Sequence, residues 1–85
     1  MTDLGRLRWR CRRGIKELDL LLTRYVDERF ALAPRTEQQA FESLLEDQDP
    51  VIYAYCMGQT AVPAHLESLI RLITAARADA GRAGR

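Results

Sequence analysis

The residues with the greatest chemical capacity lie together near the N-terminus. Arg6, Arg8, Arg10, Arg12 and Arg13 surround the only tryptophan, Trp9, and run directly into Gly14, Lys16, Glu17 and Asp19. Guanidinium forks clamp carboxylates, phosphates and carbonyls, and an aromatic among them offers a flat apolar face. A glycine at the joint permits backbone angles closed to other residues and lets a partner approach closely. If a helix begins at or just after Gly14, Arg13 and Glu17 project on nearly the same side of it. Two readings then stand side by side. One is an intrahelical ion pair contributing about 0.3–0.5 kcal/mol; the other is a recognition patch of guanidinium and carboxylate around bare backbone. Trp9 is likewise either an exposed contact for a partner or a core anchor.

No catalytic machinery accompanies this cluster. The chain lacks a phosphate-cradling G-x-x-x-x-G-K, a dinucleotide-binding glycine pattern, and a nucleophile with a base at catalytic spacing. Cys11 and Cys56 are too few for a disulfide framework or a four-ligand zinc site, and Cys11 is expected to be a small buried hydrophobe. His65, the single histidine, has no partner at catalytic spacing and reads as a surface residue. No catalytic, metal or resident cofactor site is therefore expected, and an interaction module is.

The elements that position the cluster are helical, and an all-α single-domain bundle of about five helices is predicted. Residues 2–12 suit a short first helix, with Thr2 or Asp3 as N-cap and Leu4, Leu7 and Cys11 on one side. The second, from about Gly14 to Arg29, repeats Leu18, Leu21, Leu22, Tyr25 and Val26 at helical spacing. Pro34 redirects the chain. Thr36-Glu37-Gln38-Gln39 then reads as a capping box for a third helix with Phe41, Leu44 and Leu45 inside. Asp49 as N-cap and Pro50 open a fourth, which carries Ile52, Tyr53, Tyr55, Cys56 and Met57 and stops at Gly58. Pro63 precedes a fifth with Leu66, Leu69, Ile70 and Ile73 inside. The domain is expected to span residues 1–80, with 81–85 a flexible tail.

With 85 residues, 47% hydrophobic and 29% charged, the chain suits one small globular domain. Its formal charge of +1 hides a polarity, because the arginine arm contrasts with an acidic stretch from Glu37 to Asp49. The arm alone would suit a small nucleic-acid-binding protein; the near-neutral total and the acidic third helix argue against that reading. No apolar run approaches a membrane span and no signal-peptide stretch opens the chain, so a cytoplasmic protein is expected.

The string Trp9-Arg10-Cys11-Arg12-Arg13-Gly14-Ile15-Lys16-Glu17-Leu18-Asp19 resembles the signature of the SdhE (YgfY) family, the FAD assembly factors of succinate dehydrogenase. Its core, R-G-x-x-E, is met by Arg13, Gly14 and Glu17. The later Phe41-Glu42-Ser43-Leu44-Leu45-Glu46 and the Asp-Pro-opened helix extend the likeness over residues 6 to 73, with Tyr55 where members often carry tryptophan. The resemblance implies a chaperone that binds the succinate dehydrogenase flavoprotein subunit, with that of fumarate reductase as a further candidate client. It promotes covalent attachment of an FAD that belongs to the client. The implied partner-binding residues are Arg13, Gly14 and Glu17, flanked by Trp9, Arg8, Arg12 and Asp19. In this picture Gly14 permits close approach and Arg13 pairs with a client acceptor, while Glu17 orients Arg13 or accepts from a client donor. The free protein is expected to be monomeric.

Overall fold

Leu18, Leu21, Leu22, Tyr25 and Val26 are all buried, as their spacing predicts, along one side of α2 (Lys16–Glu28). The computed structural model describes residues 3–83, and side chains from 3 to 75. Before α2 comes α1 (Leu4–Arg10). After it come a 3-10 turn (Phe30–Leu32), α3 (Arg35–Leu44), α4 (Asp49–Cys56) and α5 (Ala64–Ala83). No strand occurs among the described residues. The fold is thus the all-α bundle that the sequence predicts.

The core forms where α5 lies against α2, α3 and α4, while α1 packs on α2. Leu66, Leu69, Ile70 and Ile73 come from α5, Phe41 and Leu44 from α3, and Ile52 and Cys56 from α4, all buried. Aromatics fill the centre. Phe41 stacks on Tyr25 with ring centroids 4.6 Å apart, and Phe30 meets Tyr25 edge-on at 6.4 Å. The Tyr25 hydroxyl reaches the rim, where it donates to Glu37 Oε2 at 2.6 Å. Arg29 Nε donates to the same oxygen at 2.8 Å, tying the end of α2 to the first turn of α3.

Several helix ends differ from their predicted positions, each for a local reason. Asp3 caps α1 by accepting from Arg6 N–H at 3.2 Å; Thr2 lies outside the described residues. Leu7 and Cys11 are buried, whereas Leu4, in the first turn of this short helix, is 41% exposed. Gly14 does not belong to α2, because its φ of +86° is incompatible with a right-handed helix. The helix starts at Lys16 with Ile15 as an N-cap that makes no side-chain cap bond. The capping box does not form. Pro34, in an extended conformation, is the N-cap of α3, which places Thr36 inside the helix. There Gln38 N–H donates to Pro34 O, and the Gln38 side chain donates to Phe30 O at 2.7 Å. The cap of α4 shifts by one residue to Gln48, leaving the Asp49 carboxylate available for another partner.

Gly58 does end α4 as predicted. It takes φ +71°, while Gln59 N–H reaches back to Ala54 O at 2.9 Å and Gly58 N–H to Tyr55 O. Helix α5 continues past Gly81 and Arg82 to Ala83, into the segment expected as a tail; residues 84 and 85 lie outside the described residues.

Candidate functional site

The loop between α1 and α2 is held by one carboxylate. Asp19 Oδ1 accepts from Arg13 N–H at 2.7 Å and Oδ2 accepts from Gly14 N–H at 3.2 Å. Two successive backbone donors converging on one anion make a nest, closed here by a residue of the loop's own succeeding helix. The arrangement requires the positive φ of Gly14. Its Cα is open to solvent, with no atom within 4 Å of where a Cβ would stand.

Arg13 turns away from this surface, its side chain only 16% exposed. Nη1 donates to Asp49 Oδ1 at 3.1 Å and to Asp47 O at 3.4 Å, and Nη2 donates to Leu45 O. Leu45 is the C-cap of α3, where unsatisfied carbonyls gather partial negative charge. The guanidinium therefore bridges the negative end of α3 and the acidic first turn of α4. The expected helical register between Arg13 and Glu17 does not arise, because the Gly14 turn separates them. Glu17 is exposed in the first turn of α2.

Trp9 is 67% exposed, so it is no core anchor. Arg12 lies with Cζ 5.2 Å from its ring centroid, a cation–π contact. Arg8 Nε meets Asp27 Oδ1 at 3.0 Å, and Arg10 meets Glu46 at 3.7 Å. Between α1 and α2 lies an open groove of about 760 Å³. One wall carries Gly5, Arg8, Trp9 and Arg12, the other Lys16, Asp19, Leu20 and Thr23, with Gly14 where they join. The α2 wall repeats the i, i+3, i+4, i+7 spacing of a single helix face, and on the other wall Arg12 lies just past the end of α1.

The fold thus brings together Arg8, Trp9, Arg12, Gly14 and Asp19, sets Arg13 behind them, and adds Lys16, Leu20 and Thr23. Leu20 is 63% exposed. The sequence contained a signal for it: a leucine off the buried stripe of an otherwise regular amphipathic helix is available for another contact.

The remaining reactive groups are muted. Burial pushes the Cys11 thiol up to about 11, despite the opposing pull of Arg13 and Arg10, and its Sγ donates to Leu7 O at 3.4 Å. Burial likewise raises Cys56 to about 11. No His, Cys, Asp or Glu group among the described residues could hold a metal ion. No described helix is long and apolar enough to cross a membrane.

The structure defines a small helical domain with an exposed, cation-rich aromatic face built around a glycine of positive φ. Residues 5–77 match the family model described as flavinator of succinate dehydrogenase, and the chain belongs to that family. It is similar to the FAD assembly factor SdhE of Coxiella burnetii, at 38% identity covering 80% of this chain and 84% of the relative. It is also similar to that of Colwellia psychrerythraea, at 41% identity covering 85% and 80% respectively. With the factor of Legionella pneumophila strain Paris the identity is 37%, covering 84% and 90%. No solved structure matches the chain.

Proposed function

We propose that this protein is an assembly factor that binds the flavoprotein subunit of succinate dehydrogenase and promotes its covalent attachment to FAD. The observation that carries this reading is the match over residues 5–77, which spans every residue of the α1–α2 face. The bond-forming chemistry is the client's own. The factor is not an enzyme, holds no resident cofactor, and works as a cytoplasmic monomer that docks transiently. The fumarate reductase flavoprotein is a second client of the same kind.

In the docked complex, the exposed Gly14 backbone meets the client closely, with Trp9, Arg8, Arg12 and Glu17 around it. Arg13 and Asp19 act from within, one locking the loop to the α3–α4 junction and the other fixing its backbone. The nucleic-acid reading of the arginine arm loses support from the ion pairs. Arg8, Arg10 and Arg13 are offset by Asp27, Glu46 and Asp49, which reduces the charge available to phosphates.

The test is covalent flavin on the succinate dehydrogenase flavoprotein, read as in-gel fluorescence under denaturing conditions after deletion and restoration of this gene. Loss on deletion with recovery on restoration is expected. Unchanged fluorescence in the deletion strain would remove the assembly role.

A further inference from the structure

The groove between α1 and α2 has a composition of its own. Trp9 and Leu20 are large apolar side chains left mostly exposed on facing walls, the kind of surface that marks an interaction site. Tryptophan is also among the residue types that most often dominate binding energy. The charge on the walls is one-sided. Arg12 and Lys16 form no ion pair among the described residues, and Arg8 is offset by Asp27. The groove's carboxylate, Asp19, spends both oxygens on the N–H groups of its own loop.

We propose that this groove binds a short, extended segment of the client that carries carboxylates beside an apolar side chain. The inference rests on the assembly reading above and deepens it. Apolar contact goes to Trp9 and Leu20, and the carboxylates go to Arg12 and Lys16 at the rim. The α2 wall, from Lys16 to Thr23, covers about 10 Å of helix at 1.5 Å per residue. An extended chain rises about 3.3 Å per residue, so about three or four residues fill the groove. The open side admits a segment that enters and leaves, as a loop of a folded client must. Gly14, bare where the walls meet, lets the segment's backbone pass without a clash.

The experiment uses the full chain with 5-fluorotryptophan at Trp9, whose single ¹⁹F resonance reports the groove. Overlapping peptides tiling the succinate dehydrogenase flavoprotein subunit are titrated in, and binding of the whole apo-subunit is measured in parallel. Peptides that shift the resonance are expected to combine Asp or Glu with an apolar residue within one four-residue window. Their Asn/Gln counterparts, and the Arg12→Glu/Lys16→Glu variant against the apo-subunit, should bind at least about tenfold more weakly, increasingly so at low salt. Full retention of apo-subunit binding by the double variant, with no peptide shifting the resonance, overturns the groove proposal and leaves the assembly role standing. Failure of the unaltered protein to bind the apo-subunit overturns both. Displacement of the peptides by free FAD or by a DNA oligonucleotide would assign the groove to phosphate and also overturn the proposal.

Discussion

Arg13 places a delocalised charge where three acceptors converge at the junction of α3 and α4, and its fork geometry is what allows this. A lysine ammonium cannot span the same set. Arg13→Lys and Arg13→Ala are both expected to destabilise the protein by about 2 kcal/mol, the usual scale for hydrogen bonds to a charged group. Urea denaturation checks this, and Asp49→Asn should give a smaller loss because Asp49 is more exposed than its partner. Gly14 separates fold from function in the opposite sense. Gly14→Ala meets no neighbouring atom, so its stability cost is confined to the positive φ, about 1 kcal/mol. Its effect on client flavinylation, measured by in-gel fluorescence, should far exceed that cost, because the added methyl occupies the surface where the proposed docking brings the client's backbone.

At the scale of elements, α2 presents two different faces. One face holds the buried stripe that packs on α5, and the other supplies Lys16, Asp19, Leu20 and Thr23 to the groove. The groove residues Lys16, Asp19, Leu20 and Thr23 therefore stand on the helix that also carries the core. That helix is anchored at its far end by the Tyr25–Phe41 stack, so Phe41→Ala should cost about 3–5 kcal/mol, read as a lower denaturation midpoint. The Glu37 cluster adds a pH dependence. Hydrogen bonds from Arg29 and then Tyr25 hold the Glu37 carboxyl below its usual value of 4.5. A lowered folded pKa contributes stability that is present above 4.5 and lost as the pH falls through the folded value. Glu37→Gln should therefore lower stability at neutral pH and flatten the acid side of the stability–pH curve, the two proteins converging as the pH falls below the folded value.

For the molecule as a whole, one core takes Leu18, Leu21, Leu22, Tyr25 and Val26 from α2, Phe41 and Leu44 from α3, and Leu66, Leu69, Ile70 and Ile73 from α5. Cys11 and Cys56 belong to that core. Their thiols, raised to about 11, are kept neutral by burial, so their contribution is complete below the unfolded value of 9.0 and is lost as the pH rises through about 11. Below pH 9, a thiol-specific disulfide reagent should modify the native protein only at the rate of unfolding, and modify the urea-denatured protein at once.

Helical periodicity, the single domain and the buried stripes of α2, α3 and α5 were legible in the chain, because each depends on side-chain spacing within one segment. The family resemblance was legible too, since W-x-C-R, R-G-x-x-E and the following Leu-Asp are contiguous. The boundaries were less so. Thr36 and Asp49 have good capping chemistry, but Pro34 and Gln48 took those positions when contacts from Phe30 and Arg13 set the helix ends. The site was half legible: residue types and local spacing determined that arginines, a tryptophan and a glycine would be concentrated at one joint. Only the tertiary structure decided that Arg13 faces inward while Trp9 faces out and Leu20 joins it. The acceptors that draw Arg13 inward lie more than thirty positions along the chain, and the groove exists only because α1 folds back onto α2.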